Sequence, residues 1–432
     1  MIDIAVLMCH APIVIPAIAG PRAKQCSQTT AAMREAARRV VDSAPDVLVV
    51  ISPHAPRNGA HWGIDGSAVI EGSFANFGVP DVGLRLPGAP DAARGLAQTA
   101  RGNLLPVYTL PAAPLDHGAL VPLYFMVEAG WRGATLLVAL PMPGAQSEER
   151  FGQAVRDAAA ACGQRWAVLA SGDMSHRLQR GAPAGYHPDA FRFDAAFVEA
   201  LRQLDYRAAC SPDPQLQELA AEDVVASTCV AYGATAGCNY GAEFLSYEGP
   251  FGVGYCEAVL SDTSTPPREL LDVARDAIRG RTNATHRDVD PVWREPRAVF
   301  VTLRSPDGQL RGCIGQLAPT EPDLVREVER AAIAAATRDP RFPPVSDDEI
   351  DDLRIEVSVL ERPVPIASPS QLDPHRYGVV VHSGPRRGVL LPNVEGVDTI
   401  ELQLRIACEK AGIAPGEHFD MERFLVRKVA QA

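Results

Sequence analysis

A chain of 432 residues exceeds what one ordinary hydrophobic core holds, so two domains are expected. Hydrophobic residues make up 47% and charged residues 22%, the balance of a globular protein. No apolar run reaches a membrane span, and a net charge of −12 excludes a basic nucleic-acid footprint.

The first apolar run, Ile4 to Cys9, stops at His10-Ala11-Pro12. A helix over 27–43 with Ser27 as its N-cap follows. The run 46–52 is apolar and β-branched, and it ends at Ser52-Pro53-His54-Ala55-Pro56. Continuous apolar runs of this length suit strands buried on both faces, as in a parallel sheet. Proline cannot continue a central strand, so each histidine stands just past a strand's carboxyl end. Residues 57–88 are Gly/Pro-rich with short strand-like pieces at 68–70 and 82–86. A helix at 91–101, a strand at 104–109, a helix from His117, a strand at 134–140, a helix at 147–162 and a strand at 166–171 continue the alternation. This β-α repetition predicts an α/β domain with a mostly parallel, helix-flanked sheet. Helices at 188–204 and 216–234 and two closing strands within 240–260 complete it.

The polar, double-proline stretch 262–267 is the expected linker, giving domains at 1–262 and 268–432. Beyond it the order is helix 268–280, strands 297–303 and 310–316, helix 321–337, strands near 353–360, 377–382 and 387–391, helix 398–411 and a strand near 421–428. That mixture predicts a smaller α+β domain. Nine cysteines with no Cys-x-x-Cys pair, several in apolar runs (Cys162, Cys229, Cys408), argue for buried free thiols in a reducing compartment. With no basic leader before the first strand, a cytoplasmic location is expected.

Four of the ten histidines fall at comparable places. His10 and His54 end strands, His117 opens a helix within Asp116-His117-Gly118, and His176 follows the strand 166–171. A single histidine of this kind is as often a cap as a ligand. Four on one sheet rim point to a site, because open α/β sheets bind ligands at the carboxyl ends of their strands. Two imidazoles and one carboxylate leave coordination positions open, the arrangement used by non-haem Fe(II). The carboxylate candidates are Glu222 and Asp223, placed at a helix start, with Glu243 and Glu248 near the closing strands.

These residues carry a resemblance. Residues 1–260 resemble the class III extradiol ring-cleavage dioxygenases of the LigB type, which share their fold with the Memo proteins. Besides the histidines, the carrying stretches are Val121-Pro122-Leu123, Ser171 to His176 and Tyr247 to Tyr255. The resemblance implies Fe(II) held by His10, His54 and a glutamate-like position in the Glu222-Asp223 region. It implies His176 as acid/base and His117 as the histidine that helps bind substrate and O2. The implied substrate is a small catechol-like or aminophenol-like aromatic. Memo-like relatives have a cysteine at the third-ligand position, and this chain has acidic residues there. Residues 268–432 resemble the AMMECR-type domain, on Arg311-Gly312-Cys313-Ile314-Gly315, Asp339 to Pro344, Ile355 to Leu360 and Gly388 to Pro392. Cys313, between two glycines, fits a nucleophile or a small strand residue packed close to a neighbour. The pairing of Memo-like and AMMECR-type domains implies a radical-SAM protein partner. A homo-oligomer is expected, with no nucleic-acid or membrane partner. A second reading is a Memo-like metal-binding or redox module working in a modification system.

Overall fold

The computed structural model describes residues 1–144, 146–280 and 289–431. Its contacts divide the chain into two units, Met1–Ser264 and Thr265–Ala432.

The first unit is built on β1 (Ile2–Met8), β2 (Val47–Ser52), β3 (Trp62–Ile64), β4 (Val69–Phe74), β5 (Val79–Pro87), β6 (Val107–Thr109), β7 (Ala134–Ala139), β8 (Trp166–Ser171), β9 (Glu243–Glu248) and β10 (Tyr255–Asp262). Eight of them form one sheet in the order β6-β3-β7-β2-β8-β1-β10-β9, and β4 and β5 form a separate hairpin. The four central strands are parallel to one another. Antiparallel pairs close both margins, β3 on β7 and β10 on β1 and β9. The sheet is therefore parallel where it is fully covered, as hydrophobic strands with no polar face require.

Side-chain alternation sends Ala5, Leu7, Val49 and Ile51 to one face and Ile4, Val6, Leu48 and Val50 to the other. Helices Pro90–Gly102, Glu148–Ala161, Phe191–Arg202 and Val224–Ala234 cover the first face. Helices Ser27–Ser43 and His117–Glu128, with the β4–β5 hairpin, cover the second. Each fully buried Val, Leu or Ile contributes about 1.5–3 kcal/mol, so the two layers dominate the unit's stability.

The helix expected over 216–234 is two helices. Pro214–Ala220 ends where Ala221 takes a left-handed conformation (φ 54°), and Val224–Ala234 begins after Asp223. The break comes where polar residues offer the backbone other partners: the Glu222 carboxylate accepts the Val225 N–H at 2.8 Å. Ser27 is the first residue of its helix and makes no capping bond; the free end is met by Glu248, which accepts both the N–H and the hydroxyl of Thr29. The thiols are less buried than their neighbours suggested. Cys9, Cys26, Cys229 and Cys256 are buried, Cys408 is half-buried, and Cys162 is exposed at a helix C-terminus.

The second unit is α+β. Two four-stranded antiparallel sheets are formed by β11 (Ala298–Arg304), β12 (Leu310–Gly315), β13 (Arg354–Leu360), β14 (Val364–Ile366), β15 (Gly378–Ser383), β16 (Arg386–Leu390), β17 (Asp420–Phe424) and β18 (Val426–Ala430). Their orders are β12-β11-β13-β18 and β14-β17-β15-β16. The single last strand expected near 421–428 is thus two strands, one in each sheet. Among the described residues no helix is long and apolar enough to cross a membrane.

Candidate metal centre

Sheet order brings the histidine-bearing strand ends together. β8 lies between β1 and β2, and Met8 pairs with Ser171 while Ile51 pairs with Ala170. The chain leaving β1 carries His10, the chain leaving β2 carries His54, and between them the chain leaving β8 carries Asp173. Asp173 ties the rim: its Oδ1 accepts the His10 N–H at 2.8 Å, across 163 positions of sequence.

The remaining pieces are clamped by short hydrogen bonds. Ser52 donates to Asp116 Oδ1 at 2.6 Å and accepts the His54 N–H at 3.2 Å. Asp116 caps the helix that His117 opens. Gly118 is required here, since a Cβ would lie 2.5 Å from Ser52 Oγ and 2.9 Å from Asp116 Oδ1. Gly172 has the same use at the other side, where a Cβ would lie 2.4 Å from Val224 Cα. That close approach lets Asp173 N–H donate to Asp223 Oδ1 at 2.7 Å and Asp223 N–H donate to the Asp173 carbonyl at 3.1 Å.

The outcome is a compact set of ligand atoms. His10 Nε2 and His54 Nε2 are 3.0 Å apart. Asp223 Oδ2 is 3.4 Å from the first and 3.2 Å from the second. Adjacent ligands about 2.1 Å from one ion, at right angles, stand about 3.0 Å apart, so this triangle has the dimensions of one face of a coordination sphere. His117 joins the cluster, its ligand atom within 4.8 Å of those of His10 and His54. Its ring centroid is 4.0 Å from that of His54.

The surroundings fix which atoms are available. The Ser171 hydroxyl donates its one hydrogen to the Gly118 carbonyl, so it accepts from His10 Nδ1 at 3.0 Å. Nδ1 therefore carries the proton in the neutral ring, and the Nε2 lone pair faces the cluster, the orientation that second-shell bonds give to metal-bound histidines. Asp223 Oδ1 is occupied by a backbone N–H, leaving Oδ2 for the imidazoles. Burial opposes charge on His10, but Asp173 and Asp223 outweigh it and lift its pKa to about 9. Burial likewise opposes charge on Asp223, yet His10 and His54 hold it well below the usual carboxylate range. His117 is pushed down to about 4 by burial and by the two neighbouring imidazoles. His10 is 1% exposed, whereas the His54 side chain is 36% exposed, so the cluster opens to solvent on one side.

The structure separates the carboxylates left open by the sequence. Asp223 faces the imidazoles. Glu222 is turned away, one oxygen accepting from Gln217 and the other from Val225 N–H. Glu248 caps a helix, and Glu243 pairs with Arg39. His176 stands on the same loop as Asp173 but outside the cluster; its N–H donates to the Ala220 carbonyl and its buried Nδ1 has no hydrogen-bond partner among the described residues. Sequence reasoning assigned no role to Ser52, Asp116, Ser171 or Asp173, which orient the ligands. Their signal was position, at a strand end or before a helix, and for Asp116, Ser171 and Asp173 a place in the stretches that carry the family resemblance.

In the second unit, Asp339 accepts the Cys313 N–H at 2.9 Å and pairs with Arg341 through both oxygens, while Thr302 donates to Cys313 Sγ at 3.3 Å. The Arg-Gly-Cys-Ile-Gly and Asp-Pro-Arg stretches are thereby joined.

Comparison with known proteins agrees with this division. The family described as the catalytic LigB subunit of aromatic ring-opening dioxygenase matches residues 4–257, and the AMMECR1 family matches residues 271–429. The protein CA_C1420 of Clostridium acetobutylicum is 32% identical over 460 aligned residues, covering 98% of both chains. A Thermotoga maritima protein is 51% identical over 140 residues, 32% of this chain and 80% of its own. Among solved structures, PH0010 of Pyrococcus horikoshii covers 38% of this chain and 89% of its own at 36% identity, with a TM-score of 0.32. JW3007 of Escherichia coli covers 60% and 98% at 18% identity, with a TM-score of 0.39. The chain belongs to the LigB family of aromatic ring-opening dioxygenase catalytic subunits, and carries an AMMECR1 domain after its LigB domain.

Proposed function

We propose that this protein is a non-haem Fe(II) extradiol dioxygenase acting on a catechol-like or aminophenol-like aromatic. One observation carries the reading: His10 Nε2, His54 Nε2 and Asp223 Oδ2 form a triangle of 3.0, 3.2 and 3.4 Å. Two imidazoles and one carboxylate on one face are the donor set of non-haem iron oxygenases. A ferrous ion held there supplies the Lewis acidity and the electron path that ring opening by O2 requires.

The chain's own groups supply orientation and proton transfer. Ser171 and Asp173 hold His10, and Ser52 holds the backbone of His54. His117, neutral near pH 7, exchanges a hydrogen bond with a substrate oxygen without adding charge. His176, on the loop that follows β8, takes a proton from a substrate hydroxyl and returns it later, the role a positioned imidazole fills most often in general acid–base catalysis. Both oxygen atoms of O2 enter the product as the carbon–carbon bond beside one hydroxyl opens, so no outside reductant is consumed.

The test is oxygen uptake by the Fe(II)-reconstituted protein with a panel of catechols and 2-aminophenols. Uptake with at least one member, abolished in His54→Ala, is expected. A silent panel, or a fully active variant, contradicts the reading.

A second reading is a Memo-like metal or redox module working with a radical-SAM partner. The fusion favours it, since alignment with the Clostridium relative runs through 98% of both chains. Copper preference without ring cleavage would support that module.

A further inference from the structure

Within the proposed dioxygenase reading, we infer that Phe77 is the specificity-determining wall of the site, the face against which the ring of the aromatic packs.

Phe77 lies in the turn Ala75–Phe77 that joins β4 to β5. Its ring is 39% exposed, whereas Phe74, one turn earlier, is fully buried. A lone exposed aromatic is unremarkable on most surfaces. Here it stands beside the cluster: its centroid is 5.8 Å from that of His117, at 65°, and His117 is 4.0 Å from His54. The hairpin that carries it is fixed. Leu115 N–H donates to the Glu71 carbonyl at 2.9 Å, and Phe74 packs 6.3 Å from Tyr124 of the helix that His117 opens. Phe77 is thus an apolar face on an anchored hairpin, one side chain away from the candidate ligands and, like His54, partly open to solvent. Aromatic rings meet such a face edge-on or offset-stacked.

Binding, rather than turnover, is the test. Wild type, Phe77→Ala and Phe77→Leu, each as the full chain, are titrated without oxygen with catechol and 4-methylcatechol, in metal-free and Fe(II)-loaded form. Phe77→Ala is expected to weaken 4-methylcatechol about three- to tenfold, with partial recovery in Phe77→Leu and unchanged Fe(II) affinity in both. Equal binding by wild type and Phe77→Ala, or binding of no ring at all, overturns the inference. Phe77-dependent binding without oxygen uptake would instead leave the inference standing and remove the dioxygenase reading.

Discussion

Ser171 decides which nitrogen of His10 faces the cluster, through one hydroxyl that gives its hydrogen to Gly118 and takes one from Nδ1. Removing it in Ser171→Ala frees the ring to adopt the other tautomer. We expect a 10–100-fold loss of Fe(II) affinity, the usual scale for a second-shell bond, measured by anaerobic competition with a chelator. An unchanged affinity would show that Asp173 and packing orient the ring without the hydroxyl. The histidines themselves were legible in the sequence because an apolar run that ends in His-Ala-Pro has few other uses. Ser171 and Asp173 were not, because short polar residues after strands mostly close turns, and the bond from His10 to Asp173 spans 163 positions. The third candidate ligand was legible only as a pair. Glu222 and Asp223 are adjacent in sequence and opposite in use, since the helix break turns one toward Val225 N–H and the other toward the imidazoles.

At the scale of elements, the four central strands were readable from buried, β-branched runs, and their C-terminal edge followed from the α/β alternation. The split of 216–234 was not, because a left-handed Ala221 leaves no glycine or proline to mark it. Two predictions belong here. Gly118→Ala would press a methyl against Ser52 Oγ and Asp116 Oδ1, so we expect about 1–3 kcal/mol of destabilisation in urea unfolding. A stability equal to wild type would mean that the strand β2 and the 117–128 helix separate at no cost. The second prediction concerns Asp194, which holds the loop after β8 by accepting from Ser175 N–H at 2.9 Å and Tyr247 hydroxyl at 2.7 Å. Burial outweighs these bonds and raises its pKa to about 6, above the ordinary 3.8. The folded state therefore binds its proton more tightly than the unfolded state. Its contribution becomes less favourable as pH rises from about 4 to about 6, and is constant above that. The stability difference between wild type and Asp194→Asn should change across that window and stay flat from pH 7 upward; a difference independent of pH from 4 to 7 contradicts the assignment.

For the whole molecule, two compact units in one chain make a separable expectation. All the candidate ligands, and the groups that orient them, lie in Met1–Ser264. A protein ending at Ser264 should bind Fe(II) within about twofold of the full chain, by calorimetry under nitrogen; a loss of tenfold or more would make the AMMECR1 domain part of the site. The two-domain order was legible from the double proline at 266–267 and the change of pattern after it. The stretch before those prolines was not legible as structure. Asp262 ends β10, Thr263 N–H donates to the Asp3 carbonyl, and Ser264 bonds the Asp262 side chain, so the polar residues belong to the first unit.

The proposed function stands on one Fe(II) per chain held by His10, His54 and Asp223. Anaerobic Fe(II) titration of wild type, Asp223→Asn and Glu222→Gln tests it most directly. One site per wild-type chain, an affinity loss of tenfold or more in Asp223→Asn, and wild-type affinity within about twofold in Glu222→Gln are expected. Equal binding by wild type and Asp223→Asn, or a loss confined to Glu222→Gln, would contradict it.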